Sequence, residues 1–384
     1  MLLIKNGNIH NAVQEEAFIA DILIDDNGKI SAIDKDITAP DGAQVLDASG
    51  LQVMPGFVEA HGHIGLDGYG MGFEGMDYNE ISDVCTPHLR GIDGIKAMDP
   101  AFQLAANAGV TTVCVGPGSA NVVGGTFVAI KTVGKRVDDM VVRNNVAMKC
   151  AFGENPKRCY RDKGNMTRMT TSANLRNLLE KTIEYKAKKD AAAGDPSKKP
   201  AYDQKLEAML PVIEKKIPLK AHAHATDDIF AAIRIAREYG VKLTLEHTTE
   251  GHLIAEELAK EKDIPMAVGP SLTNASKIEL RNKTFATPGI LAKAGCKVSI
   301  ITDSPVIPQQ YLPLCAALAV ESGMDEFEAF KAITINAAEH AGVGDIVGSL
   351  EIGKDGDVVI TDGCPFKVQT KVKYVFIKGK KVNE

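Results

Sequence analysis

Short runs of alternating apolar and polar residues open the chain: Leu2 to Lys5, Asp21 to Ile24 and Lys29 to Ile33, separated by Asn6-Gly7-Asn8 and Asp26-Asn27-Gly28. A period of two belongs to strands with one buried face, and Asn/Gly clusters supply the backbone freedom that tight turns need. A small β meander is predicted here. From Leu51 onward, β-rich runs alternate with segments whose apolar residues recur every three or four positions. That texture predicts βα units around a parallel sheet.

The clearest unit spans Ile217 to His247. Ile217 to His224 reads as extended, and Thr226 is placed to cap a helix with Asp227 and Asp228 in its first turn. Ile229, Ala232, Ile233 and Ala236 share one face of that helix, Gly240 stops it, and Val241, Leu243, Leu245 and His247 alternate as the next strand. Further strands are predicted at Met54 to Ala60, Val110 to Gly116, Asn145 to Phe152, Ile264 to Val268 and Lys297 to Thr302. Thr171 to Lys216 carries mixed charge, with Leu175, Leu178, Leu179 and Ile183 at helical spacing before an Asp195-Pro196 break; it reads as a solvated helical hairpin rather than a lid. After about residue 340 the β texture returns, at Val358 to Thr361 and Val372 to Lys378. The expected fold class is α/β: a (β/α)8 TIM barrel over residues 53–340, flanked by a small β-sandwich built from residues 1–52 and 341–384.

Composition narrows the partners. With 384 residues, 45% hydrophobic and 24% charged, the chain is globular rather than disordered. A formal charge of -6 offers no attraction to phosphate backbones, so no nucleic acid is expected. The seven cysteines are scattered with no Cys-x-x-Cys spacing, which predicts free thiols in a reducing compartment rather than disulfides or a cysteine zinc site. No basic N-terminal stretch leads into a long apolar run, and no run approaches the roughly 18 apolar residues of a membrane span. The expectation is a cytoplasmic protein with a small-molecule substrate and no membrane; a homo-oligomer is compatible with a barrel of this size.

The chemistry concentrates in histidine. Five of the nine histidines fall at predicted strand ends, where a (β/α)8 barrel builds its active site. His61 and His63 close the run from Val53, two positions apart, so both imidazoles face one side and can grip one cation. His222 and His224 repeat that spacing, and His247 ends the following strand. Asp303, in Thr302-Asp303-Ser304-Pro305, would be a turn cap if it stood alone. With the histidines around it, it is a candidate metal ligand and general base.

These motifs, with Pro55-Gly56-Phe57-Val58 before His61 and the Gly348 to Asp357 run near the C-terminus, resemble the amidohydrolase superfamily of metal-dependent hydrolases. The likeness is to the branch with imidazolonepropionase and the Xaa-Pro or Xaa-Arg dipeptidases. The resemblance implies a zinc or similar divalent site of one or two ions and hydrolysis of a C–N bond, in a cyclic or peptide-like amide, by a metal-activated water. It assigns His61, His63 and Asp303 to a first metal, with Asp303 as general base. His222 and His247 go to a second metal or the catalytic water, with His247 also polarising the carbonyl. His224 ranks as a substrate contact and an alternative ligand.

Where the mononuclear deaminases and imidazolonepropionase carry a Glu three residues after the strand-five His, this chain has Ala225, which favours two metals. A bridging group is then needed. Glu154, after a clear strand and beside turn residues, is the preferred candidate; Lys149 and Lys131 are the alternatives that a carboxylated lysine would use. Arg158 and Arg161 are candidates for holding a substrate carboxylate, and His252 for touching substrate. Gly116 to Asn121 and Gly124-Gly125-Thr126 could offer backbone amides to an oxyanion. His10, His88 and His340 have no companion motif and read as structural. Gly65 to Asn79, with Tyr69 and Glu74, is expected to set specificity. Two rival readings are a deaminase of a heterocyclic amine, which the absent Glu opposes, and a catalytically silent barrel acting as a binding protein, which the retained ligands oppose.

Overall fold

The computed structural model describes residues 1–383. Strands β1 (Leu2–Ile9), β2 (Phe18–Ile24), β3 (Ile30–Asp34), β4 (Gln44–Asp47) and β5 (Gln52–Pro55) form the N-terminal β region. The barrel strands follow: β6 (Phe57–Gly62), β7 (Val110–Val115), β8 (Val123–Lys131), β9 (Val141–Ala151), β10 (Leu219–Ala223), β11 (Leu243–His247), β12 (Met266–Val268) and β13 (Val298–Ile300). Strands β14 (Val358–Thr361), β15 (Val372–Ile377) and β16 (Lys380–Lys381) return to the first region. Two eight-stranded sheets result. One joins both chain ends in the order β16-β15-β14-β5-β1-β2-β3, with β4 also on β1; the other runs in sequence order from β6 to β13 and nearly closes into a barrel.

Strands β6, β7, β10 and β11 are short and buried on both faces, as expected where helices cover the outside and side chains fill the inside. In one respect the barrel departs from uniform βα alternation: β8 pairs antiparallel with both β7 and β9, while its neighbours in the sheet pair in parallel. The glycine-rich approach to β8 hid this strand in the sequence. Its reversed direction carries Lys131 to the end of the barrel opposite the histidines. There its ammonium lies 2.9 Å from Asp355 and 2.6 Å from Asp357, all three side chains buried. This pair of contacts fastens the C-terminal β region to the barrel. Breaking a buried ion pair by removing one partner typically costs roughly 3–5 kcal/mol.

Three local expectations change. Asn6-Gly7-Asn8 is no turn: β1 runs straight through it, with Asn6 at φ 58° and a register shift against β2 between Ile4 and Gly7. A β-bulge uses the same residue types as a turn, and here Gly7 lies so close to Val53 that a Cβ would stand 2.5 Å from its methyl. Thr226 does not cap its helix, which runs Thr226–Tyr239 from an N-cap at Ala225; the Glu250 carboxylate accepts from the Thr226 amide at 2.9 Å instead. Gly240 does end that helix, at φ 62°. The charged segment forms the helices Arg168–Ala191 and Gln204–Ile213, held together by Glu207, which accepts from Tyr185 Oη at 2.6 Å.

The helix Ile335–His340 packs where the barrel strands begin. Its Ala337 and Ala338 join Val58, Ala60, Ala129, Ala147 and Ile301 in one buried cluster. That cluster closes one end of the barrel and leaves the chemistry at the other.

Candidate metal centre

Strand register sets the site. In β10 and β11, Ala223 pairs with His247, and β9 brings Lys149 level with Lys220. His61 lies at the end of β6, His63 just beyond it, and Asp303 follows β13 with φ at 54°. His61, His63, His222, His224 and His247 are all buried, and their rings gather in one cluster: His222 to His247 centroids are 4.3 Å apart and His61 to His247 5.2 Å, both edge-on, and His224 stacks on His247 at 4.5 Å. Two groups could each hold an ion, His222/His224/His247 and His61/His247/Asp303, with the candidate ligand atoms of each group within 4.8 Å of one another. His247 belongs to both.

Ring orientation follows from outer contacts. His63 Nδ1 is 2.7 Å from the Gly116 carbonyl and His247 Nδ1 2.9 Å from the Gly269 carbonyl, so each donates from Nδ1 and keeps Nε2 as a lone pair. His63 Nε2 stands 3.3 Å from Asp303 Oδ1. His224 Nδ1 meets Thr249 Oγ1 at 2.7 Å. Both nitrogens of His222, Nε2 of His247 and Oδ1 of Asp303 are buried without a hydrogen-bond partner among the described residues. Buried polar atoms are rarely left so, and a cation shared among these lone pairs is what this donor set fits.

Burial, first, holds the His61, His222 and His247 pKa values well below the usual imidazole range; nearby cationic groups, Lys149 among them, add to this. Neutral imidazole is the form that ligates. Asp303 is also desolvated, but His247, His63 and Lys149 more than offset the burial and keep its carboxyl below the ordinary range. Lys149 is fully buried, with Nζ 3.1 Å from His61 Nε2, and burial pushes it down to about 8 although Asp303 and Glu246 oppose the shift.

The remaining sequence candidates separate. The Glu154 carboxylate accepts from the Glu279 amide at 2.9 Å, while its own amide donates to the Glu279 carboxylate at 2.9 Å; this reciprocal clasp ties two loops together, and Glu154 belongs to neither ion-holding group. Lys131 lies at the far end of the barrel. His252 packs on Thr287 Oγ1 at 2.9 Å and does not line the site cavity. Arg161 is exposed beside Asp162. In the glycine-rich stretch, the amides of Gly118 and Ala120 already donate to Tyr78 O and Asn79 Oδ1.

A cavity of about 510 Å³ opens above the histidines, lined by His63, His222, His224 and Asp303 at its base and by Arg158, Lys277, Asn155 and Ser119 higher up. Of the Gly65 to Asn79 loop, Tyr78 and Asn79 reach the cavity and Glu74 does not; the Tyr78 ring stacks on His63 at 5.4 Å.

Several residues escaped sequence reading. Glu59 Oε2 accepts from Thr302 N at 2.9 Å, Thr302 Oγ1 at 2.5 Å and Gln309 Nε2 at 2.7 Å, fastening the end of β6 to the loop that carries Asp303. Burial raises its pKa to about 7 against the pull of those donors. Lys277 and Glu279 form a 2.8 Å ion pair beside the histidines, Glu279 Oε1 standing 3.8 Å from Nε2 of both His222 and His224. They sit in a polar loop whose composition carries no signal of a site.

Comparison with known proteins agrees with this architecture. A family model described as the amidohydrolase family matches residues 52–382. The chain belongs to the amidohydrolase family. It is thus a hydrolytic enzyme of a family whose members usually bind a divalent metal. It is 28% identical over 390 residues to amidohydrolase TasK of Hapsidospora irregularis, covering 94% of this chain, but it spans 40% of TasK. It is 27% identical over 360 residues to the imidazolonepropionase of Symbiobacterium thermophilum, covering 84% of this chain and 77% of that enzyme. Among solved structures, an amidohydrolase from Thermotoga maritima MSB8 superposes with a TM-score of 0.95 at 40% identity, over 100% of this chain and 99% of the other. Among the described residues no helix is long and apolar enough to cross a membrane.

Proposed function

We propose that the protein hydrolyses the C–N bond of a small cyclic or peptide-like amide bearing a carboxylate, using two divalent ions, zinc in the first instance. The observation that carries this reading is the pair of ligand groups that share His247, of which His222, His224 and Asp303 line the cavity. His61, His63 and Asp303 would hold one ion and His222 and His247 the other, with His224 as a further ligand or substrate contact. When bound, the ions supply a Lewis acid for the amide carbonyl and a water acidic enough to attack near neutral pH.

Lys149 is the bridging residue of this reading in place of Glu154. It is buried among the ligands, and its neutral amine can add to carbon dioxide with loss of one proton; the carbamate so formed would offer carboxylate oxygens for holding the ions. Asp303 takes the proton of the attacking water and returns it to the leaving nitrogen, so that amide and water become acid and amine. Arg158 and Lys277 are the cations lining the cavity and Asp303 the lining carboxylate; Lys277 is already paired with Glu279 at 2.8 Å, so Arg158 is the charge that favours a substrate with a negative end.

The test is a panel of dipeptides, N-acyl amino acids and cyclic amides, each acid paired with its carboxamide and assayed on zinc-reconstituted protein. Hydrolysis of acids is expected, with kcat/KM lower by roughly tenfold or more for the carboxamides, the loss of about one charged hydrogen bond. Equal turnover of both forms would remove the carboxylate from the reading. Ammonia release from heterocyclic amines without amide cleavage would replace the reading with a deaminase.

A further inference from the structure

Beneath His61 lies a buried polar cluster that the reaction itself does not use. Glu246, on β11 one residue before His247, is fully buried. Its Oε1 is 2.7 Å from His340 Nε2 and accepts from Thr244 Oγ1 at 2.7 Å. Its Oε2 forms an ion pair with Lys220 Nζ at 2.9 Å and stands 3.0 Å from His61 Nδ1, both close approaches short of full hydrogen-bond alignment. Lys220 is itself buried and donates to the Ala60 carbonyl at 3.0 Å, one residue before His61. Four strands or helices thus converge on one carboxylate: β6, β10, β11 and the helix that closes the barrel.

A buried anion and cation placed here are costly unless they do something an apolar core would not. The opposite face of His61 shows what that is. Nε2 there is 3.1 Å from Lys149 Nζ, while Nδ1 faces a Glu246 carboxylate oxygen at 3.0 Å; a carboxylate only accepts, so Nδ1 carries the proton and Nε2 is left as the lone-pair nitrogen. A histidine that ligates through one nitrogen and donates to a carboxylate through the other is held in tautomer and in orientation.

We infer that Glu246, held by Lys220, His340 and Thr244, is a positioning residue that fixes His61 with Nε2 free to ligate, so that the closed end of the barrel is wired to the metal centre. This rests on the reading of His61 as a ligand. Glu246→Gln preserves shape but can turn an N–H toward His61 Nδ1, which favours the tautomer with Nε2 protonated.

The test is zinc affinity by chelator competition on folded protein, well below its melting temperature. Glu246→Gln is expected to bind its weaker equivalent roughly 10–100-fold less tightly than wild type. An unchanged affinity, with only the melting temperature of the metal-free protein lowered, would assign Glu246 to structure alone and overturn the inference. Should the variant fail to fold, 15N chemical shifts of the His61 ring in metal-free wild-type protein decide. The Nδ1-protonated tautomer is expected, and the Nε2-protonated one overturns the inference. If His61→Asn leaves zinc affinity unchanged, the ligand reading itself fails, a result distinct from either outcome for Glu246.

Discussion

Asp303→Asn is expected to lower kcat/KM for the amide substrate by about 10²–10⁴-fold, the range that a positioned general base contributes. The amide is nearly isosteric with the carboxylate, and the backbone at this position, with φ at 54°, suits Asn as well as Asp. The Glu59 clasp on Thr302 stays intact, so the fold should persist. Circular dichroism and melting temperature close to wild type, with turnover nearly lost, is the predicted combination. Turnover close to wild type would remove Asp303 from proton transfer.

Lys149→Met should be at least as damaging. Methionine fills much the same volume and lies comfortably beneath Phe127, over which the Lys149 ammonium now sits at 5.7 Å, so removal of a buried cation should not unfold the barrel. What goes is the group between the two ligand sets. Elemental analysis is expected to show about one metal ion per chain in place of two, with kcat reduced by about three orders of magnitude or more, as when a transition-state electrostatic contact is removed. Glu154→Gln serves as the control under the same assay. Its carboxylate meets the Glu279 amide rather than the histidines, and the carboxamide oxygen can accept the same bond, so its metal content should match wild type. A loss of one ion in Glu154→Gln but not in Lys149→Met would restore Glu154 as the bridge.

The parts of the molecule legible in the sequence are those that local periodicity controls. His61 and His63, or His222 and His224, announce themselves because a spacing of two at a strand end puts two imidazoles on one side. The end of the helix at Gly240 is legible because few residues other than glycine adopt φ near 62° readily. What was not legible depends on register between distant strands. Lys149 stands in the sequence only as an alternative to Glu154 beside Lys131, and Lys220 as an ordinary polar break in an apolar run, until β9 and β10 are laid side by side. Glu246 carries no signal in the sequence; only the closed barrel sets it beside His61 and His340, which are 185 and 94 residues away. The reversal of β8 was hidden because a glycine-rich approach reads as a loop, and that reversal alone separates Lys131 from Lys149 as candidates for one role. Glu154 opens the helix Glu154–Tyr160 and Lys277 precedes a short turn, places where composition does not reveal which side chain turns inward.

The two-ion centre is the claim on which the rest depends, and elemental analysis of wild-type protein purified without chelators tests it most directly. About two equivalents of zinc, or of a similar divalent ion, per chain are predicted, each lost on dialysis against chelator and regained with activity. A single equivalent that does not rise on reconstitution with zinc and bicarbonate would contradict the shared-His247 pair and the bridging Lys149.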